Sequence, residues 1–238
     1  GCDSVVHVIV EEIQNPDGEL TLYACPGETA TYNDIEIERA GLSIPKDGSG
    51  YYDRFRSRIM FPMTDARGRV VGFSGRIFNG DEKTAKYINS PETEIYNKSK
   101  ILYGLWLGKK TIQEKDACYL VEGYMDVVAL AQFGIDFAVA TLGTALTGHH
   151  LDRLSRQTAQ VIVCFDGDQA GRTAAKRALD TVLPFLSDEF SIRFLFLPDG
   201  HDPDSLVRDE GTDAFLTRLN DALPASEALI RLLSDDID

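Results

Sequence analysis

The second half of the chain alternates short apolar segments with segments of helical spacing, and this alternation constrains the fold more than any other feature. Four apolar segments predict strands at Ala117–Val121, Phe137–Ala140, Gln160–Phe165 and Ser191–Leu197, of which Gln160–Phe165 is rich in β-branched residues. Strands this apolar are buried on both faces, which is typical of a parallel sheet covered by helices. Helices are expected to alternate with them, at Tyr124–Phe133, Gly148–Arg156, Gln169–Leu186 and Ser205–Glu210. The pattern predicts an α/β fold with a doubly wound parallel sheet over residues 112–210.

The rest of the chain divides into three further segments. Residues 1–40 are acidic, and a hairpin is expected in which the turn Asn15–Gly18 joins strands at Val5–Val10 and Leu20–Ala24. Residues 41–111 form a basic segment rich in glycine, arginine and aromatic residues, with strands expected at Arg58–Met63 and Val70–Phe73 and a turn between them at Asp65–Gly68. Residues 211–238 predict C-terminal helices.

The net charge of −14 argues at first against a nucleic-acid partner, but the charges are unevenly distributed. Residues 51–110 contain 12 Lys and Arg residues against 6 Asp and Glu residues, a local net charge of +6. Because salt screens charges beyond about 8 Å, a bound polyanion responds to this local excess rather than to the total charge. The segment is therefore a candidate nucleic-acid-binding surface.

The sequence lacks the patterns that would indicate a membrane span, a signal peptide or a zinc site. No apolar run approaches the roughly 18 residues that a membrane span requires, and no signal-peptide pattern is present, so no membrane partner is expected. The four cysteines form no C-x-x-C pair, so no zinc is expected. His149 and His150 lie at a predicted helix start, where surface or capping roles are more typical than metal ligation. The cysteine usage favours the reducing cytoplasm.

Acidic residues appear just after three of the four predicted strands, in the third case after a short turn, and one more lies a helical turn beyond Glu122. These residues are Glu122, Asp126, Asp166, Asp168, Asp202 and Asp204. In open α/β sheets, ligands bind outside the carboxyl ends of the strands. Clustered carboxylates repel one another, and all-oxygen ligands favour Mg²⁺ or Mn²⁺, ions that suit phosphoryl transfer. A single Asp after a strand is, on the other hand, commonly just the N-cap of the next helix.

The acidic segments resemble motifs of a known family. Glu122–Asp126, Asp166–Arg172 and Asp202–Asp204 are similar to the Toprim motifs, which primases share with topoisomerases and some nucleases. The basic segment is more specific, because Tyr52–Pro62 and Lys86–Thr93 resemble the basic motif of DnaG-type primases. Three further matches are Lys98, Leu102–Leu105 and Thr141–Thr144. The chain thus resembles the DnaG-type primase family from about Ala40 to Ala225.

The resemblance implies a Toprim domain preceded by a mixed α/β N-terminal lobe and followed by C-terminal helices. It implies synthesis of short RNA primers from ribonucleoside triphosphates on single-stranded DNA, with Mg²⁺ or Mn²⁺ as cofactor. The six acidic residues named above would form the metal site, with Glu122, Asp166 and Asp168 as the catalytic candidates. The residues that would bind nucleotide or template are Arg54, Arg56, Arg76, Lys86, Tyr87, Asn89 and Lys98. The family's zinc-binding domain and helicase-docking domain are not recognised in this sequence, so a replicative helicase would be a partner of a longer protein.

Two other functions stay open at this point. The Toprim motifs alone also fit a metal-dependent nuclease or topoisomerase. The basic segment alone also fits a non-catalytic protein that binds single-stranded DNA. Glu122 could bind metal or accept the proton of a primer hydroxyl.

Overall fold

The described part of the chain divides into two units, one built on antiparallel strands and one on a parallel sheet. The structure is a computed structural model, and it describes residues 20–25, 28–32, 41–48, 50–78 and 84–234. The first unit comprises the described residues up to Asp65 together with Arg69–Asn97, and the second comprises Ala66–Gly68 together with the described residues from Lys98 onward. The strand predicted at Val5–Val10 and the turn predicted at Asn15–Gly18 lie outside the described residues.

Small antiparallel sheets build the first unit. The strands are β1 (Leu20–Cys25), β2 (Glu28–Tyr32), β3 (Ser43–Pro45), β4 (Tyr51–Asp53), β5 (Arg58–Thr64), β6 (Val70–Ile77) and β7 (Tyr87–Asn89). β1 pairs with β2, β3 pairs with β4, and β5, β6 and β7 form a sheet in that order. The strands expected near Leu20, Arg58 and Val70 are confirmed, whereas the pairing of β1 with β2 was not expected from the sequence. Gly68 has a φ of 80° in the turn between β5 and β6, a backbone conformation that favours glycine.

A five-stranded sheet forms the centre of the second unit. Its strands are β8 (Ala117–Val121), β9 (Ala138–Ala140), β10 (Gln160–Phe165), β11 (Ser191–Phe196) and β12 (Leu223–Pro224), in the order β12-β11-β10-β8-β9. β8 to β11 are parallel, and the short β12 pairs antiparallel with β11. The predicted doubly wound sheet is confirmed. The strand order reverses between β8 and β10, which is where open α/β sheets bind their ligands.

Helices cover this sheet and follow it. They are α1 (Leu105–Lys115), α2 (Tyr124–Gln132), α3 (Gly148–Ser155), α4 (Gln169–Val182), α5 (Pro203–Glu210), α6 (Thr212–Asn220) and α7 (Ala225–Ser234). The helix expected to reach Leu186 ends at Val182 and continues only as a 3₁₀ turn that contains Pro184, because proline lacks the N–H that an α-helix requires. Among the described residues, no helix is long and apolar enough to cross a membrane.

Asp116 joins the end of α1 to the start of β10. It caps α1 in the left-handed conformation, with a φ of 48°, and its Oδ1 accepts a hydrogen bond of 2.7 Å from the backbone N–H of Ala159. We expect Asp116→Ala to lower the free energy of unfolding by about 1–2 kcal/mol, because it removes this bond while the unfavourable backbone conformation remains. Asp116→Asn keeps an acceptor and tolerates the conformation, so it should unfold at nearly the denaturant concentration of the parent. Equal stabilities of the alanine variant and the parent in urea would contradict this assignment.

Candidate active site

The loops after β8, β10 and β11, together with the first turns of the helices that follow β8 and β11, bring six acidic side chains to one edge of the sheet. Glu122 directly follows β8, and Asp166 directly follows β10. Asp202 follows β11 after a turn in which the N–H of His201 donates to the carbonyl of Pro198. The loops after β10 and β11 are joined by a 3.0 Å hydrogen bond from the N–H of Gly167 to the carbonyl of His201. We call the six residues Glu122, Asp126, Asp166, Asp168, Asp202 and Asp204 the acidic edge.

The carboxyl groups of the acidic edge influence one another's protonation. Burial, followed by the charges of Asp166, Asp202 and Asp204, raises the pKa of Asp126 to about 7. Burial, followed by the charges of Asp202 and Asp168, raises the pKa of Asp166 to about 6. The pKa of Glu122 is also raised, again by burial first and then by Asp166 and Asp168. The surrounding protein therefore does not fully balance the negative charge of the acidic edge.

Three residues of the acidic edge also have local structural roles. Asp168 caps α4 by accepting from the N–H of Gly171 at 2.7 Å, and Asp202 caps α5 by accepting from the N–H of Ser205 at 2.7 Å. Asp204 forms an ion pair with Arg208 one turn along α5. The N-cap alternative raised by the sequence is therefore correct for Asp168 and Asp202, and it leaves the second carboxylate oxygen of each residue available for another contact.

The donor set of the acidic edge fits a hard divalent cation. Within the described ranges, no three His, Cys, Asp or Glu side chains already converge on one metal position. Because three of the six carboxylates face local partners, side chains must turn before several of them can share an ion. The raised pKa values of Asp126 and Asp166 show where a cation would neutralise unfavourable negative charge. Carboxylate oxygens are also the ligands that Mg²⁺ and Mn²⁺ prefer.

These pKa values predict a pH dependence of metal binding. A carboxyl group whose folded pKa is raised stabilises the fold at low pH, and this contribution is lost as the pH rises through the folded value. The pH range over which this stability is lost begins at the ordinary pKa of 3.8 for both residues. It ends at about 7 for Asp126 and at about 6 for Asp166. The metal-free chain should therefore lose stability across this range, and Mg²⁺ should restore it, because only deprotonated carboxylates bind metal.

The measurement is the rise in melting temperature on adding MgCl₂ at about pH 5 and about pH 8. We expect a rise on the order of 5 °C at the higher pH, if Mg²⁺ is about a hundredfold above its dissociation constant, and little change at the lower pH. Choline chloride at equal ionic strength controls for screening. Equal rises at the two pH values would contradict the assignment of the acidic edge as a metal site.

Two glycines that the sequence analysis did not single out hold the Asp166 loop in place. A Cβ on Gly167 would lie 1.8 Å from the carbonyl oxygen of Pro198, and a Cβ on Gly171 would lie 2.2 Å from the carbonyl oxygen of Asp166. Both neighbours are backbone atoms, which cannot move aside as a flexible side chain could. The signal in the sequence was the position of both glycines inside the Asp166–Arg172 motif.

A cleft of about 240 Å³ opens beside Asp166. Arg172 from α4 and Arg231 from α7 contribute its positive charges, while Asp166 and Asp199 contribute negative ones. The guanidinium of Arg231 lies 5.5 Å from the centroid of the Phe196 ring, which forms one wall. The cleft thus extends the acidic edge toward α7 and adds two guanidinium groups close to the carboxylates.

The hydroxyl of Thr144 is a further polar group in the loops at this edge, and the sequence predicted no role for it. Thr144 lies in the loop after β9, the neighbour of β8 in the sheet. Its Oγ1 is buried and has no hydrogen-bond partner among the described residues. The Thr141–Thr144 motif was the signal that could have identified it.

The first unit carries most of the basic and aromatic candidates. Arg76 on β6 lies opposite Tyr87 on β7, and the Arg76 guanidinium and the Lys86 ammonium lie 5.9 and 5.6 Å from the centroid of the Tyr87 ring. Tyr87 and Asn89 are two residues apart on β7, so they share one face of the sheet. We call this group, Arg76, Lys86, Tyr87 and Asn89, the cation–aromatic face; it combines positive charge with an exposed ring.

The remaining basic candidates are more dispersed. The guanidinium of Arg56 lies 4.9 Å from the centroid of the Tyr52 ring, and the Nε of Arg54 is buried without a hydrogen-bond partner among the described residues. Lys98 belongs to the second unit, together with the acidic edge.

Comparison with known proteins assigns both parts of the chain to one kind of protein. Residues 16–109 match the family model described as DNA primase catalytic core, N-terminal domain, and residues 119–207 match the model described as Toprim-like. The chain is 52% identical over 199 residues to the DNA primase of Escherichia coli, which covers 84% of this chain and 34% of that protein. The chain therefore spans about a third of the length of this curated relative.

Solved structures give the same assignment for the fold. The E. coli primase catalytic core is similar to this chain with a TM-score of 0.81 and 51% identity, over 86% of this chain and 64% of that chain. A DnaG primase catalytic domain bound to single-stranded DNA is similar with a TM-score of 0.81 and 50% identity, over 87% of this chain and 66% of that chain. The mixed α/β architecture with a Toprim sheet is thus confirmed.

Proposed function

The chain belongs to the DnaG-type primase family, and on that premise we propose that it synthesises short RNA primers from ribonucleoside triphosphates on a single-stranded DNA template. The observation that carries the proposal is the acidic edge at the point where the strand order reverses. There, burial and neighbouring carboxylates raise the pKa values of Asp126 and Asp166, and a bound cation would compensate the negative charge of these groups. A nucleotidyl transferase needs such a concentration of carboxylates to bind metal-bound triphosphate.

The acidic edge would hold Mg²⁺ or Mn²⁺ through the carboxylates of Asp126, Asp166, Asp168, Asp202 and Asp204. When bound, such ions neutralise triphosphate oxygens and lower the pKa of the attacking hydroxyl. Glu122 is our candidate for accepting the proton of that hydroxyl, because it directly follows β8, it is exposed, and burial and the charges of Asp166 and Asp168 raise its pKa above the ordinary value. Asp168 and Asp202 would at the same time fix the starts of α4 and α5 against this edge.

The basic candidates would bind the polyanionic substrates. Arg54, Arg56, Arg76, Lys86 and Lys98 offer guanidinium and ammonium donors for phosphates, and arginine suits bidentate contacts. Tyr87 offers a ring on which a base of the template can stack, and Asn89 lies on the same face with an amide that can donate or accept. A relative's catalytic domain binds single-stranded DNA, which supports this choice of template.

The experiment that tests the proposal is incorporation of labelled ribonucleotides on single-stranded DNA. Short RNA that requires Mg²⁺ or Mn²⁺ and disappears with EDTA is the expected result. Deoxyribonucleoside triphosphates serve as the matched substrate control. Metal-dependent cleavage of DNA without incorporation would instead support a Toprim nuclease.

A non-catalytic protein that binds single-stranded DNA is the second candidate, and the cation–aromatic face favours it. Arg76→Ala should weaken binding to a labelled oligonucleotide and reduce the slope of log affinity against log salt by about 1, since one phosphate contact is lost. Arg69→Ala is the matched control, because Arg69 is exposed and pairs locally with Asp65. An unchanged salt slope in Arg76→Ala would remove Arg76 from the binding surface. Incorporation, rather than binding, separates the two candidates.

A further inference from the structure

His150 is a buried polar residue that no step of the proposed reaction uses. Its side chain is fully inaccessible to solvent, although it lies in the first turn of α3. Burial lowers the pKa of the imidazole, as do the nearby charges of Arg153 and His149, so the ring is neutral at physiological pH. A neutral imidazole has one donor nitrogen and one acceptor nitrogen, and both must find partners inside the protein.

A single tautomer satisfies both ring nitrogens. The backbone N–H of Thr147 points at Nδ1 over 3.3 Å, which makes Nδ1 the acceptor. Nε2 then carries the hydrogen and donates to the backbone carbonyl of Lys98 at 3.1 Å. Next to it, the hydroxyl of Thr147 donates to the carbonyl of Ser99 at 2.7 Å. Two side chains at the start of α3 thus hold the carbonyls of two consecutive residues, about fifty positions earlier in the chain.

The hydrogen bonds of His150 and Thr147 fix the segment in which the chain enters the second unit. Directly after it, Ile101 and Leu102 are buried, and Tyr103 exchanges two backbone hydrogen bonds with Ala140 at the end of β9. Lys98 is therefore anchored to the same unit that carries the acidic edge, through its own carbonyl on one side and through a buried segment on the other.

We propose that His150 is a positioning residue for Lys98: it donates to the Lys98 carbonyl and so fixes where the Lys98 ammonium meets the triphosphate of an incoming ribonucleotide. The proposal rests on the proposed function, because it assigns Lys98 to nucleotide phosphate. The ordinary alternative is a core histidine that supports α3 without any effect on Lys98.

Two substitutions separate the roles of the two ring nitrogens. His150→Asn places an amide oxygen near the position of Nδ1, so it keeps the contact with the Thr147 N–H and loses the donor to Lys98. His150→Gln places an amide nitrogen near the position of Nε2 and keeps that donor. We expect His150→Asn to weaken binding of ATP, measured by calorimetry with Mg²⁺, about tenfold, and His150→Gln to restore most of the loss.

A double-mutant cycle with Lys98→Ala provides the decisive comparison. If His150 acts through Lys98, His150→Asn costs no further ATP affinity in the Lys98→Ala background. If both substitutions lower the melting temperature while ATP affinity stays at the parental value, or if the cost persists without Lys98, the positioning role is wrong. If the parent chain neither binds ATP nor incorporates ribonucleotides, the proposed function itself is wrong. If the parent chain binds ATP and His150→Asn leaves that affinity unchanged, only the role of His150 is wrong.

Discussion

Asp166→Asn is expected to reduce primer synthesis by on the order of a thousandfold, because losing a carboxylate that binds catalytic metal removes several kcal/mol of transition-state stabilisation. Asp166 contributes to the raised pKa values of both Glu122 and Asp126, so it is electrostatically coupled to more than one neighbour in the acidic edge. The measurement is the initial rate of labelled ribonucleotide incorporation at saturating Mg²⁺.

The fold should survive this substitution. Asparagine has nearly the same shape as aspartate, and it removes one negative charge from a group of like charges. At about pH 8 without divalent ions, the variant should therefore melt at or above the temperature of the parent. Asp188→Asn is the matched control, since Asp188 is an exposed carboxylate in the loop before β11. Incorporation at the parental rate in Asp166→Asn would remove Asp166 from the catalytic set.

Gly167→Ala is expected to cause a large loss of stability, because the loop after β10 has no room for the added methyl group. The new Cβ would lie 1.8 Å from the carbonyl oxygen of Pro198, 2.4 Å from its carbonyl carbon and 2.9 Å from the carbonyl oxygen of Leu197. The loops after β10 and β11 must separate to admit it, which breaks the hydrogen bond from Gly167 to His201. We expect a cost of about 3 kcal/mol and a melting temperature lower by roughly 10 °C.

The same separation should weaken metal binding, because it moves Asp166 away from Asp202. Ala170→Ser is the matched control: it adds one heavy atom at an exposed position in the first turn of α4. Thermal unfolding of both variants with and without Mg²⁺ measures the two effects. A Gly167→Ala variant that melts within a degree or two of the parent would show that the two loops are not packed as described.

Local signals were sufficient to predict four of the five strands of the second unit and most of its helices. The strand expected at Ala117–Val121 and the strand expected at Gln160–Phe165 have those bounds in the structure, because short continuous apolar segments specify buried parallel strands. The helix α1 was missed. It contains Gly108, which lowers helix propensity and is required because a Cβ there would lie 2.4 Å from the carbonyl oxygen of Asp136. A contact with a residue 28 positions later leaves no local signal.

The sequence by itself determined which acidic residues follow the strands, because strand ends and carboxylates are both local features of the chain. Only the tertiary structure decided what else those side chains do: Asp168 and Asp202 cap helices, while burial beside other charges raises the pKa of Asp126 and Asp166. It also decided that Lys98, which charge alone groups with the basic segment, belongs to the unit of the acidic edge. The hydrogen bond from His150 spans 52 residues of sequence, and such a pairing exists only once the chain has folded.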